Sequence, residues 1–280
     1  MDWIDALLMG IVQGLSEYLP ISSSGHLEIF RTILGIDLEG SEALELVVAL
    51  HVATVLSTIV VLWKEFLPLC TSFLTFKRDD NTLYVLKILV SCIPIAIVGL
   101  CFKDQIDNLF GGSLTLVGIC LIITALLLAF AYYFRGRRPA STYGSAKSSS
   151  ILPREHSITF RDAFIIGCAQ ALAAMPGLSR SGSTIATGLL LGDRRNEIAQ
   201  FSFFMVIIPI LGEALLDAVH IIDGTSAANS IGLVPLLVGF TAAFVVGCIA
   251  CKWMIELVKR GKLIWFAIYC VIMGIICIVW

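Results

Sequence analysis

The chain has 280 residues, of which 58% are hydrophobic and only 14% are charged, and its mean hydropathy is +0.93. A water-soluble core cannot hide that much apolar surface, so the composition excludes a soluble globular protein and predicts an integral membrane protein. The net charge is −2, and no basic cluster with interleaved aromatic residues argues for a nucleic-acid partner.

The N-terminal segment is apolar but too short to cross a bilayer. No basic region and no small-residue cleavage site precede its serine cluster, so we expect no cleaved signal peptide and a mature protein that starts at Met1. Residues 2–16 run into a Pro/Gly/Ser break, and residues 160–174 do the same. Both segments are predicted to form re-entrant helical hairpins.

Six other apolar runs are long enough to cross a bilayer of about 30 Å, which takes about 20 residues of helix. They lie at about 43–63, 82–101, 113–134, 198–221, 231–251 and 263–280. The sequence therefore predicts an all-α, polytopic membrane protein with six spans and two re-entrant hairpins.

Most of the nine cysteines lie inside these apolar runs, where a thiol behaves as a small hydrophobe. Cys248 and Cys251 have the spacing of a metal or redox pair, but no second pair accompanies them. We expect both to pack against neighbouring helices.

The chain contains one internal sequence repeat. Residues 5–25 and 162–182 match at a constant offset of 157, and the matching positions include Asp5/Asp162, Gly10/Gly167, Gln13/Gln170, Ser22/Ser179 and Gly25/Gly182. This repeat divides the chain into a first half at 1–134, a linker at 135–158 and a second half at 159–280. Broken helices at equivalent positions of two halves indicate a binding site in repeat-built membrane proteins.

The loop charges predict that the two halves have opposite orientations. The basic loops at 135–161 and 252–262 are expected in the cytoplasm, while the loops at 36–42 and 222–230 contain acids without Lys or Arg. Three spans per half then place residue 1 outside and residue 160 inside. The two serine loops are expected to meet near the bilayer midplane.

The first loop motif carries groups suited to catalysis. Gln13 and Glu17 share a helix face, and Ser22, Ser23, Ser24 and His26 follow after Pro20. An acid inside a membrane segment costs roughly 2.5–3.5 kcal/mol on insertion scales, so Glu17 requires a partner or a role. Singly, each residue has a simpler explanation, such as a glutamate at the interface or serines that permit close packing. Together they supply a nucleophile, a base and an orienting or metal-binding group.

The second loop motif has the composition of an anion-binding loop. Pro176 ends a helix, Gly177 frees the backbone, and a new helix then begins whose N–H groups point at the loop. Arg180 adds a charged fork that suits two phosphate oxygens. A phosphate ligand for Arg180 is favoured over a structural ion pair with Glu17.

These two motifs resemble those of the undecaprenyl-diphosphate phosphatase family of bacteria, which is known for bacitracin resistance. The resemblance rests on Gln13-x-x-x-Glu17 with Pro20-x-Ser-Ser-x-Gly-His26, and on Pro-Gly-x-Ser-Arg-Ser-Gly-x-Thr at 176–184, and it extends over the whole chain. The family accepts Glu or Gln at its first acidic position. Because Gln13 stands here, a site with two carboxylate metal ligands is not implied.

The resemblance implies removal of the terminal phosphate from a C55 polyprenyl diphosphate. It also implies a bacterial inner-membrane location, an active site open to the outer face, and support by a divalent cation such as Mg²⁺ or Ca²⁺. The partners would be the lipid substrate and the membrane, with a homodimer as a possible assembly. Bacitracin sequesters the same lipid, so phosphatase activity would raise tolerance.

Carried onto this chain, the resemblance assigns catalysis to Glu17, Ser23, His26 and Arg180, with Glu17 also the metal ligand. Two routes stay open: attack by Ser23 with His26 as its base, which we favour, and attack by water with His26 as the base. The substrate-binding set is predicted to be Gln13, Ser22, Ser24, Gly177, Ser179, Ser181 and Thr184.

Several polar residues lie inside the predicted spans, namely Glu45, His51, Lys87, Glu213, Asp217 and His220. Most are expected at an interface or in helix–helix hydrogen bonds. Glu213 follows Pro209 and is the one expected to face a cavity.

Two other functions fit parts of the pattern. Inverted repeats with broken helices also build secondary transporters, but a transport site need not place a carboxylate and an imidazole beside an anion loop. A membrane phosphatase of the phosphatidate-phosphatase type needs a histidine six residues after the arginine. Position 186 is Ala186, which excludes that class.

Overall fold

The structure is a computed structural model that describes residues 1–36, 41–102, 114–136, 155–222 and 231–280. Within these ranges the regular structure is helical, apart from one isolated backbone bridge between His156 and Asp193. In the first half the helices are α1 (Trp3–Ser16), α2 (Ser23–Leu34), α3 (Ser41–Val61), α4 (Trp63–Leu74), α5 (Asp80–Cys101) and α6 (Leu114–Ala131). In the second half they are α7 (Phe160–Leu172), α8 (Arg180–Leu191), α9 (Arg195–Met205), α10 (Ile207–Ile222), α11 (Leu233–Lys259) and α12 (Ile264–Val279).

The all-α prediction is confirmed, and the chain is a multi-pass membrane protein. In the described residues four helical stretches are long and apolar enough to cross a membrane: Asp80–Cys101, Leu114–Phe134, Arg195–Leu216 and Leu233–Lys259. A fifth results if α3 and α4, which meet at 91°, count as one broken span. The run predicted at 263–280 forms a helix of only 16 residues. Six spans therefore stay a prediction, and so do the division into halves and the linker at 135–158, most of which lies outside the described residues.

In both predicted re-entrant segments the first helix starts with a capping box and ends at a turn. Asp2 and Asp5 form a capping box at the start of α1, and Thr159 and Asp162 form one at the start of α7. The helices that follow are short, at 14 and 13 residues, and each ends before a turn that leads into a second helix. Neither helix is long enough to span a bilayer alone.

Each hairpin helix packs against a helix from the other half of the chain. The main neighbour of α1 is α11, and the main neighbour of α7 is α5. Glycine permits both contacts: a Cβ at Gly10 would collide with the Gly239 carbonyl oxygen, and a Cβ at Gly167 would collide with that of Ser91. These crossed contacts bring the turn after α1 and the turn after α7 into one core.

Candidate active site

Each serine loop ends in a serine that caps the next helix. The Ser22 hydroxyl accepts from the Gly25 N–H at 3.2 Å, and the Ser179 hydroxyl accepts from the Gly182 N–H at 3.1 Å. Ser22 has φ +73°, a left-handed backbone that is strained for a residue other than glycine. The two loops thus start α2 and α8 with equivalent caps but different backbones.

The loops touch, as predicted. The Gly177 N–H donates to the Ser24 hydroxyl at 3.4 Å, and the Ser181 hydroxyl donates to the Leu19 carbonyl at 3.2 Å. Gly177 has φ +87°, and a Cβ there would lie 2.7 Å from Val117 Cα, so the packing of this loop against α6 requires glycine. Residues more than 150 positions apart in the chain therefore build one site.

Glu17 lies at the centre of this site. Its carboxylate oxygen accepts the Ser23 hydroxyl at 2.7 Å and the Gln13 amide at 3.0 Å, and it lies 3.8 Å from His51 Nε2. The Glu17 side chain is only 9% exposed. Burial would strongly disfavour an isolated carboxylate, and these donors compensate for the lost water.

Arg180 lies at the first position of α8, and its side chain lines a narrow cavity together with Glu17. The cavity is also lined by Thr54, Thr58, Ser181 and Ser202. In the described part of the chain no carboxylate lies within 4.0 Å of the Arg180 guanidinium. The site thus combines a cation and the start of a helix with a carboxylate that accepts a serine hydroxyl, and such a set suits a phosphate group under attack by an oxygen nucleophile.

His26 does not line the cavity that contains Glu17 and Arg180. Its Nδ1 is 2.8 Å from the Ser22 carbonyl oxygen, and its Nε2 is 2.7 Å from the Tyr269 hydroxyl. It lines a second, largely apolar cavity of about 380 Å³ with Tyr269 and Trp265. The predicted pairing of Ser23 with His26 is therefore not formed, because Glu17 accepts the Ser23 hydroxyl and His26 is bonded on both ring nitrogens.

The remaining predicted substrate-binding residues are mostly engaged in building the loops. Ser22 and Ser179 cap helices, and the Thr184 hydroxyl is buried 2.6 Å from that of Ser202. Of this set, Ser181 lines the cavity beside Arg180. Ser24 holds the contact between the loops.

Sequence reasoning missed two residues near these groups. The sequence predicts His51 at an interface, yet it lies beside Glu17, and no sequence motif points to Tyr269, which contacts His26. A histidine in the middle of an apolar span was the available signal for His51. Glu213 is exposed and is not among the residues that line the cavity, and the side chains of Asp217 and His220 lie outside the described residues.

Two places in the described residues have donors suited to a metal ion. Beside Glu17, the Gln13 Oε1 atom is buried and has no hydrogen-bond partner there, so it is available to a hard cation. Away from the cavity, ligand atoms of His156, Asp162 and Asp193 lie within 4.8 Å of one another. Asp162 already accepts from Thr159 at 2.6 Å, so ion pairing with His156 explains that cluster without a metal.

Comparison with known proteins gives matches over nearly the whole chain. The family model described as bacitracin resistance protein BacA matches residues 6–276. The undecaprenyl-diphosphatase of Bacteroides fragilis is 53% identical over 279 residues, which cover 100% of this chain and 98% of the relative. The undecaprenyl-diphosphatase of Parabacteroides distasonis is 54% identical over 278 residues, which cover 99% of this chain and 98% of the relative. That of Carboxydothermus hydrogenoformans is 36% identical over 275 residues, which cover 98% of this chain and 96% of the relative.

Proposed function

Since the chain belongs to the BacA family of bacitracin resistance proteins, we propose that Glu17, Ser23 and Arg180 carry out its reaction, the hydrolysis of undecaprenyl diphosphate to the monophosphate carrier lipid. The observation that carries this assignment is the Ser23–Glu17 hydrogen bond of 2.7 Å, made by a carboxylate that lines the same cavity as Arg180. The product lipid serves cell-wall synthesis. Removing the diphosphate that bacitracin sequesters contributes to resistance.

In the first step the Ser23 hydroxyl attacks the terminal phosphorus. The Ser23 O–H bond breaks as its proton passes to Glu17, a P–O bond forms to Ser23, and the bond to the bridging oxygen breaks, so that the lipid monophosphate leaves. Glu17 takes the place that the sequence assigned to His26, because Glu17 is the acceptor within reach of the Ser23 proton.

In the second step water attacks the phosphoserine. A P–O bond forms to the water oxygen as the water's proton passes to a phosphoryl oxygen, the P–O bond to Ser23 breaks, and Ser23 recovers its proton from Glu17, so that inorganic phosphate is released. Arg180 and the N–H groups at the start of α8 stabilise the charge that spreads over the phosphoryl oxygens in both steps. Direct attack by water on the diphosphate is the competing route, and it leaves no phosphate on Ser23.

A divalent cation fits this site. The Glu17 carboxylate and the partnerless Gln13 Oε1 are hard oxygen donors, and His51 Nε2 lies 3.8 Å from Glu17 Oε2. We propose that Glu17 is its main ligand, with Mg²⁺ or Ca²⁺ as the ion. When bound, it would neutralise diphosphate charge.

We further propose that the chain lies in the bacterial inner membrane as two inverted halves with six spans, and that the cavity opens to the outer face. The crossed packing of α1 on α11 and of α7 on α5 supports the repeat, since each hairpin uses the other half as its wall. The loop charges support the orientation. A homodimer is compatible with this arrangement.

The test is phosphate release from C55 diphosphate by the purified protein in detergent. We expect Glu17→Gln and Ser23→Ala to lower kcat by at least about a hundredfold, since loss of a base or nucleophile costs that much or more. The exposed residues Glu65 and Ser157 provide matched controls, and Glu65→Gln and Ser157→Ala should leave kcat unchanged. A chelator should lower the rate, and added Mg²⁺ or Ca²⁺ should restore it.

Two outcomes would contradict the mechanism. Turnover by Ser23→Ala within about tenfold of wild type would exclude serine as the nucleophile and favour water. A folded wild-type protein that releases no phosphate would favour lipid or solute transport.

A further inference from the structure

The backbone at Ser22, directly before Ser23, is strained and is held in place by contacts with other residues. Ser22, directly before Ser23, has φ +73° and ψ 104°, a conformation that costs of the order of 1–3 kcal/mol for a residue with a side chain. Such a conformation persists only where its surroundings fix it. The contacts that fix Ser22 therefore also determine where the Ser23 hydroxyl points.

His26 makes the contact that fixes Ser22. The Ser22 carbonyl oxygen accepts from the His26 backbone N–H at 3.1 Å and lies 2.8 Å from His26 Nδ1. Because a carbonyl oxygen can only accept, Nδ1 carries a proton. In the neutral ring Nε2 is then an acceptor, and it receives the Tyr269 hydroxyl at 2.7 Å. His26 itself is 3% exposed.

Tyr269 belongs to α12, which holds the loop at a second point. The thiol of Cys270, the next residue, lies 3.6 Å from the Pro20 carbonyl oxygen. One turn of α12 thus contacts the loop before Ser22 through Pro20 and after Ser23 through His26. The Tyr269 and His26 rings also stack, with centroids 5.6 Å apart and planes 17° apart.

From these contacts we infer that Tyr269 and His26 are positioning residues, which hold the strained Ser22 backbone and so aim the Ser23 hydroxyl at Glu17 and the substrate. The inference rests on the proposed role of Ser23 as nucleophile. His26 then acts as a positioning residue and not as a base, and its position is held by α12 through Tyr269.

The sharpest test compares two amides at position 26. Asparagine places its amide nitrogen close to where histidine has Nδ1, so His26→Asn keeps a donor for the Ser22 carbonyl although it removes the imidazole. Glutamine is one carbon longer and cannot make that bond in the same geometry. We expect His26→Asn to keep kcat within about tenfold of wild type and His26→Gln to lose at least a further tenfold, since a misplacement near 1 Å can cost about a hundredfold.

Tyr269→Phe tests the other end of the contact. The variant loses the hydroxyl that contacts His26, and its kcat should fall about three- to tenfold, to the level of His26→Asn. Its KM should be unchanged because Arg180 still binds the diphosphate. The pH profile should keep its shape. Tyr133→Phe, on an exposed side chain that does not line the cavity, is the matched control and should leave kcat unchanged.

Thermal unfolding of each variant separates loss of aim from loss of folding. If His26→Gln unfolds, Tyr269→Phe and His26→Asn still decide the question. Equal losses in the Asn and Gln variants, or wild-type kcat in Tyr269→Phe, would overturn the inference. Ser23→Ala that retains turnover would instead overturn the proposed function, whatever the position 26 variants do.

Discussion

Arg180 combines two properties that the proposed reaction needs at one residue. It lines the same cavity as Glu17, and its backbone begins α8, so one residue brings a positive charge and a helix N-terminus to the site. The described carboxylates lie beyond 4.0 Å from its guanidinium, which supports the proposed contact between Arg180 and the substrate diphosphate.

Arg180→Lys should keep the charge and lose the planar fork. We expect kcat/KM to fall by about 10- to 100-fold, because a lysine ammonium cannot bind two phosphate oxygens in parallel. Steady-state phosphate release measures this. Arg194→Lys is the matched control, since the Arg194–Glu197 pair is exposed and should contribute little. Equal kcat/KM in Arg180→Lys and wild type would show that the fork is not used.

At single residues, the sequence pointed to chemical types but did not reveal which groups are partners. The cost of an acid at membrane depth pointed to Glu17, and the anion-loop composition pointed to Arg180. The spacing did not reveal that Ser23, six residues after Glu17 across a turn, bonds to that carboxylate while His26 turns away to Tyr269. The direction of a side chain across a strained turn depends on backbone angles that the composition does not fix.

Among the structural elements, the helix α1 depends on its glycines. Gly10 faces the Gly239 carbonyl, and a Cβ there would also lie 2.9 Å from Ala242 Cβ. Close approach of backbones is how helices associate where lipid removes the hydrophobic driving force.

Gly10→Ala should therefore destabilise the protein by about 1–3 kcal/mol through overpacking, and it should lower activity because α1 carries Glu17. The thermal midpoint in detergent and phosphate release measure the two effects. Gly99→Ala is the control, since a Cβ at Gly99 would meet nothing within 4 Å. A midpoint equal in Gly10→Ala and Gly99→Ala would show that α1 and α11 separate easily.

The segment before α7 is held by a charged contact outside the spans. His156 lies 3.5 Å from Asp193 and 3.8 Å from Asp162, and it bridges by backbone to the turn after α8. The pKa of His156 is raised, first by its hydrogen bond to the Ser157 carbonyl, and further by the Asp193 and Asp162 carboxylates.

A raised pKa in the folded state means that protonated His156 favours folding. Its contribution is complete below the unfolded-state value of about 6.5 and is lost as the pH rises through the folded-state value. We expect the thermal midpoint to fall more between pH 6 and pH 8 in wild type than in His156→Gln. The same slope in both proteins would show that the contact does not stabilise the fold.

In the whole molecule, the packing of each hairpin on the opposite half brings residues from both halves into the site. Neither half holds both Glu17 and Arg180, so neither can form the cavity alone. In both loops the repeated serine, Ser22 or Ser179, caps the helix that follows.

The proposed orientation predicts which loops an antibody can reach. An epitope tag inserted at Ser148, in the basic linker, should be detected only after cells are permeabilised, while a tag at Ser226 should be detected on spheroplasts that are intact. Both insertion sites lie outside the described residues. Detection of the Ser148 tag on intact spheroplasts would reverse the orientation.

By itself the sequence determined the class of molecule and the two helices that break at equivalent positions, and it predicted the residue types of the site. Those features follow from local quantities: hydropathy over about 20 residues, helix-breaking residues, and a repeat at a fixed offset. Only the tertiary structure decided which groups meet. The Ser23–Glu17 bond, the His51 contact and the Tyr269–His26–Ser22 chain join a turn to helices up to 243 residues away, through packing in which small residues set the distance between backbones.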